Sequence, residues 1–175
     1  MDKISAHISF AEATRSDVAV RKGLKNIPNA KQLENIKMWA EKVFEPTRTY
    51  ISTKRGKDSP ITINSIFRSA EVNKAVGGSG TSSHCAGEKT GIEEAAGDIE
   101  THYPDFTNKD LFLLIKEKGA YDQLIAEFKD GNQPAWIHVG WRRHNNRMQV
   151  LIAISENGST KYIPFTPENW TKIYG

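Results

Sequence analysis

Two stretches decide how this chain is read: Ser82-Ser83-His84-Cys85-Ala86-Gly87 and, much later, Trp136-Ile137-His138-Val139. The first sets a histidine among small residues, with a carboxylate, Asp98, a little further on. The second sets a histidine in the middle of a strand-like run. Two imidazoles and one carboxylate are the donor set of a three-ligand zinc site with a fourth position left open. Each also has an ordinary reading as a satisfied polar side chain. Their spacing is not the compact helical His-Glu-x-x-His.

The rest of the chain bounds that hypothesis. With 175 residues, 38% hydrophobic and 26% charged, the chain fits one domain with a proper core. A net charge of +3 suits an anionic polymer such as cell wall or nucleic acid and identifies neither. The single cysteine, Cys85, allows no internal disulfide, so a metal site has to be built from His and carboxylate. Nothing approaches the ~20 apolar residues of a membrane span, and no membrane insertion is expected. The N-terminus has no apolar run of signal-peptide type, so synthesis in a cytoplasm is expected, with delivery by other means.

Local signals lay out the elements. Ser9 with Glu12 predicts a capping box, Ser16-Asp17 a short turn closed by Gly23, and Asn29 with Gln32 the start of a longer helix. That helix buries Leu33, Ile36, Ala40 and Val43, with Trp39 flanking, and Pro46 is expected to end it. Lys54 to Ser59 reads as a charged loop. Ile61 to Phe67 reads as a strand with Arg68 at its end, and Ser69 as the cap of a short helix stopped by Gly77-Gly78. Glu88 to Glu94 reads as a loop, Ala95 to Ile99 as a strand, and Thr107 to Gly119 as a helix. Tyr121 to Phe128 and Ala135 to Trp141 predict a hairpin, followed by a strand from Met148 to Ile154. Asn157-Gly158 then turns into an edge strand carrying Pro164.

Parity sorts the hairpin. Leu124, Ala126 and Phe128, with Ile137, Val139 and Trp141, form the expected core face. The other face then carries Gln123, Ile125 and Glu127 beside Trp136, His138 and Gly140. Glu127 thus shares a face with His138 and is the first candidate for a general base, with Asp130 second. Arg68, at a strand end near the candidate ligands, suits an oxyanion or substrate carboxylate. His7, His102 and His144 have no such setting.

At these residues the sequence resembles the zinc D-alanyl-D-alanine carboxypeptidase and L-alanyl-D-glutamate endopeptidase family, whose fold is shared with the Hedgehog signalling domain. The family pattern Ser-x-His-x-x-Gly-x-Ala-x-Asp is matched by Ser82, His84 and Gly87, then by Ala96 and Asp98. Its aromatic-x-His pattern is matched by Trp136 and His138. Ile63 to Ser69, Ala70 to Gly78 and Tyr121 to Glu127 are similar to family segments too, as is the helical lead-in. The resemblance implies an α+β fold, a small antiparallel sheet packed with helices. It implies one domain over 1–175, with a helical lead-in at about 9–46, a catalytic core at about 60–155 and a C-terminal hairpin and tail at 156–175. It implies Zn2+ on His84, Asp98 and His138 and a catalytic Arg68; Glu127 joins them as base on parity and on the likeness of its segment, and Ser82, Gln123 and Trp136 are expected at the substrate. The substrate would be a peptidoglycan stem peptide, cut at an amide bond by a carboxypeptidase or endopeptidase.

Two departures stand out. Thirteen residues (85–97) separate His84 from Asp98, more than the family usually has, and the excess falls in the 88–95 stretch. A longer surface loop costs little and can leave the ligands in place. Family members often carry an acid three positions before the second histidine or a histidine two before it; here those positions hold Ala135 and Trp136. These departures motivate an alternative, a catalytically inactive structural or cell-wall-binding virion protein that keeps the fold. The missing leader points to a phage-encoded member acting after release or within a virion, beside other virion proteins. The basic run Arg142 to Arg147 prompts a nucleic-acid reading, but it lacks an aromatic platform and reads better as a basic hairpin loop.

Overall fold

Helices come first and are set by their caps. The computed structural model describes residues 3–175. Ser9 and Glu12 form the reciprocal box that opens α1 (Phe10–Thr14), and Ser16 caps α2 (Asp17–Lys22). Asn29 and Gln32 do the same for α3 (Ala30–Trp39). Each cap satisfies an N–H that a first helical turn leaves without an internal partner.

Pro46 does not end that helix, contrary to expectation. The chain passes through a π-helical turn, Ala40–Phe44, and continues as α4 (Glu45–Arg55). Pro46 lies in the first turn of α4, after the wide turn has broken the regular ladder, so its missing N–H costs little. The helix therefore absorbs Lys54 and Arg55, and Gly56 (φ 66°) stops it in the left-handed conformation. Arg55 is a structural tie: it forks onto Asp105 at 3.0 and 2.8 Å and lies 3.6 Å over the Tyr103 ring.

Six strands follow: β1 (Thr62–Ser65), β2 (Glu94–Glu100), β3 (Gln123–Glu127), β4 (Trp136–Arg142), β5 (Gln149–Glu156) and β6 (Ser159–Pro164). They form one sheet in the order β1-β2-β4-β3-β5-β6. Between them come α5 (Ala70–Ala75), a 3-10 turn (Ser83–Cys85) and α6 (Asn108–Lys118); α7 (Pro167–Tyr174) closes the chain. The fold is thus α+β, a sheet packed with helices, and every strand pair is antiparallel except β3 with β5.

That parallel pair depends on how the chain leaves β4. The link 143–148 is no hairpin loop. It passes the start of β3, and Asp122 pins it there: the Asp122 carboxylate accepts from the Arg147 backbone and guanidinium, while its carbonyl accepts from Gln149 N at 2.9 Å. The arginines of the basic run are matched by acids, Arg142 by Glu94 and Asp122, Arg143 by Glu93 and Glu34. At the other end Asn157 and Gly158, both with positive φ, make the tight turn into the edge strand β6.

Trp39 is central rather than flanking. It is fully buried, and its indole N–H donates to Val139 O at 2.8 Å. Leu124, Ala126, Ile137 and Val139 fill the same face, as parity requires. Phe128 departs from it. Its φ of 56° turns the ring toward the opposite face, where it packs 5.5 Å from Trp136.

Gly97 gives a stability test. A Cβ there would lie 2.4 Å from the Trp39 ring, which its hydrogen bond and burial prevent from moving. Gly97→Ala is expected to lower unfolding free energy in urea by about 1–3 kcal/mol through overpacking. Unchanged or raised stability would mean that Trp39 yields.

Candidate metal centre

His84, Asp98 and His138 arrive from three separate segments. His84 sits on the 3-10 turn, which is tied back to the end of the β1 segment by Arg68 N donating to His84 O at 3.0 Å. Its ring is buried, and Nδ1 lies 2.7 Å from Ile66 O. A carbonyl can only accept, so Nδ1 carries the proton and Nε2 presents its lone pair. Asp98 and His138 are register partners on β2 and β4 and therefore face the same way.

The three donor atoms form a small triangle. Asp98 Oδ1 is 2.9 Å from His138 Nδ1 and 3.2 Å from His84 Nε2, and the two imidazole nitrogens are 3.2 Å apart. Tetrahedral zinc with ligands at 2.0–2.1 Å places neighbouring donors about 3.3 Å apart. The donor set and its size both fit the ion. Among the described residues this is the one cluster of three or more such groups.

Charge is arranged around Asp98. Burial works against its ionised form, but the charges and hydrogen bonds of His84 and His138 hold its pKa well below the usual carboxylate range. Arg68 Nη2 takes the second oxygen, Oδ2, at 2.9 Å, and its Nε donates to Ser65 Oγ at 3.1 Å. Asp98 thus keeps Oδ1 for the centre. Burial pushes the His84 pKa down, favouring the neutral imidazole that a metal requires.

Glu127 lies diagonally across from His138, since Ile125 is the register partner of His138 and Glu127 that of Trp136. It is 8% exposed, and burial raises its pKa to about 7, with His138 pulling the other way. Among the described residues its carboxylate makes no hydrogen bond, yet it reaches the cleft, because Asn73 Oδ1 is the only fully buried side-chain polar atom left unpaired.

All eight expected site residues line one cleft of about 560 Å³. Ser82 precedes the 3-10 turn without a side-chain cap bond, Gln123 bonds Gln149 at 2.6 Å, and Trp136 packs on Phe128. Asp130 is the exception among the candidate bases. It is exposed in the β3–β4 loop, bridged to Gln133, and does not line the cleft. The long loop before β2 is tied at two places: Gln32 of α3 donates to Glu88, and Thr90, a cleft residue, donates to Glu94 at the start of β2 at 2.6 Å.

Sequence reasoning missed the wall made by Phe128, Leu151, Thr160 and Tyr162. Register runs Glu127–Ala153–Tyr162 across β3, β5 and β6, which puts Tyr162 on the site face. The edge strand was visible in the sequence; its place in the sheet was not.

The model of the Peptidase M15 family matches residues 6–140. That stretch runs from before α1 almost to the end of β4 and includes His84, Asp98 and His138, while β5, β6 and α7 lie beyond it. No curated protein matches the chain.

A zinc titration with a competing chromophoric chelator is expected to count one ion per chain. His84→Ala or His138→Ala should abolish it, and acidification below about pH 6 should release the ion, because protonated imidazole cannot ligate. Undiminished binding by His138→Ala would refute the assignment.

Proposed function

This chain belongs to the Peptidase M15 family, and from that premise we propose that it is a zinc-dependent peptidase hydrolysing an amide bond in peptidoglycan stem peptides, as a carboxypeptidase or an endopeptidase. The observation that carries the reading is the meeting, in one cleft, of a zinc-sized donor triangle and an unpaired carboxylate. An inactive relative has no need of that carboxylate in so costly a setting.

His84 Nε2, Asp98 Oδ1 and His138 Nδ1 would hold the ion. Zinc with an open position makes water a nucleophile near neutral pH and polarises a carbonyl. Glu127 takes the proton of the attacking water and returns it to the leaving amine, and a pKa near the working pH suits both transfers. Arg68 keeps Asp98 oriented through Oδ2, while its Nη1, without a hydrogen bond among the described residues, is left for the oxygen on which charge develops. Trp136 and Phe128 offer an apolar wall to the peptide. No described helix is long and apolar enough to cross a membrane.

Zinc-loaded protein is expected to release peptide fragments from purified cell wall, and His138→Ala to release none. Wall left intact by the loaded wild type would overturn the proposal. Glu127→Gln should lose roughly a hundredfold or more in kcat. Because Glu127 acts when ionised, kcat/KM should rise with pH along an acidic limb at about 7 or lower, a nearby cation moving it only downward. A Glu127→Gln enzyme that keeps the wild-type rate and limb would exclude Glu127 as the base.

A further inference from the structure

Arg142 stands at the far end of the same cleft, and the chemistry above makes no use of it. It ends β4 on the site face, since His138, Gly140 and Arg142 alternate with the buried Val139 and Trp141. Four residues of strand separate it from His138, about 13 Å. Two buried acids grip it from behind by one atom: Glu94 lies 3.0 Å from its Nε and Asp122 3.4 Å from the same nitrogen. Both acids have other partners, Thr90 on Glu94 and the forked Arg147 on Asp122.

The consequence is an idle edge. Among the described residues Nη1 and Nη2 of Arg142 make no hydrogen bond. Both reach solvent, because neither is among the fully buried unpaired polar atoms. A guanidinium fixed through Nε presents, on its outer edge, two N–H groups at the spacing of a carboxylate. Arg147 pairs with Asp122, so one acid, Glu94, is left to Arg142 rather than two.

We propose that Arg142 is the specificity anchor of the cleft, taking end-on a substrate carboxylate remote from the scissile bond. The proposal rests on the peptidase reading and narrows its substrate class. An extended peptide spans about 3.3–3.6 Å per residue, so the anchored acid lies about three to four residues from the carbonyl under attack. A carboxylate on the adjoining residue is too close to be held there.

The probes are the stem tetrapeptide L-alanyl-γ-D-glutamyl-L-lysyl-D-alanine as free acid and as its C-terminal amide, with the D-glutamyl amide as the near-acid control. Terminal amidation should lower wild-type kcat/KM roughly tenfold to a hundredfold, the worth of a charged fork. In Arg142→Lys, which keeps the charge and loses the fork, and in Arg142→Gln, the acid-to-amide ratio should fall toward one. A purely structural role would depress both rates together and leave the ratio alone. The same pair, titrated calorimetrically onto zinc-loaded Glu127→Gln, reads the preference without turnover. A wild-type ratio near one, or a ratio unmoved in both Arg142 variants, overturns the anchor. Discrimination in binding, with no fragment released by wild type from this probe or from purified cell wall, overturns the peptidase reading and leaves the anchor standing.

Discussion

The register that sets Asp98 opposite His138 is the constraint on which the site depends. A slip of either strand by one residue would turn its own ligand into the core and bring Gly97 or Val139 to the cleft in its place. Trp39 prevents it from the other face. Its ring lies against Gly97, where no Cβ fits, and its indole bonds Val139 O. Gly97 and Val139 are themselves register partners, one step from the ligand pair. A single buried tryptophan on α3 therefore clamps the rung next to the candidate metal centre, and the helical lead-in helps to assemble it.

Electrostatics then divides two buried carboxylates by their neighbours. Asp98 has two imidazoles and an arginine and stays ionised. Glu127 has burial without a hydrogen-bonding partner, and its proton is held more tightly. Groups of the same chemistry are thereby set apart, as the proposed division into a ligand and a proton carrier requires. Glu94 and Asp122 make a third use of buried acid, holding arginines at the other end of the cleft.

Much of this was legible in the sequence because it is local. Caps at Ser9, Asn29 and Thr107 were readable from residue type and spacing, and a period of two set Glu127 beside His138 on β3 and β4. What escaped was what local pattern does not encode. Pro46 is tolerated because a π turn precedes it, and Phe128 leaves its face because its φ is positive. The passage of 143–148 around β3 depends on Asp122, a contact between distant parts of the chain. With that passage hidden, the neighbours of β5 and β6 were hidden too, and with them Tyr162, Thr160 and the setting of Arg142.

The most direct test is the anomalous diffraction of zinc-loaded crystals recorded across the zinc absorption edge. The account predicts one strong peak per chain, about 2.0–2.2 Å from His84 Nε2, Asp98 Oδ1 and His138 Nδ1. A peak on other side chains, or none between these three, would contradict it.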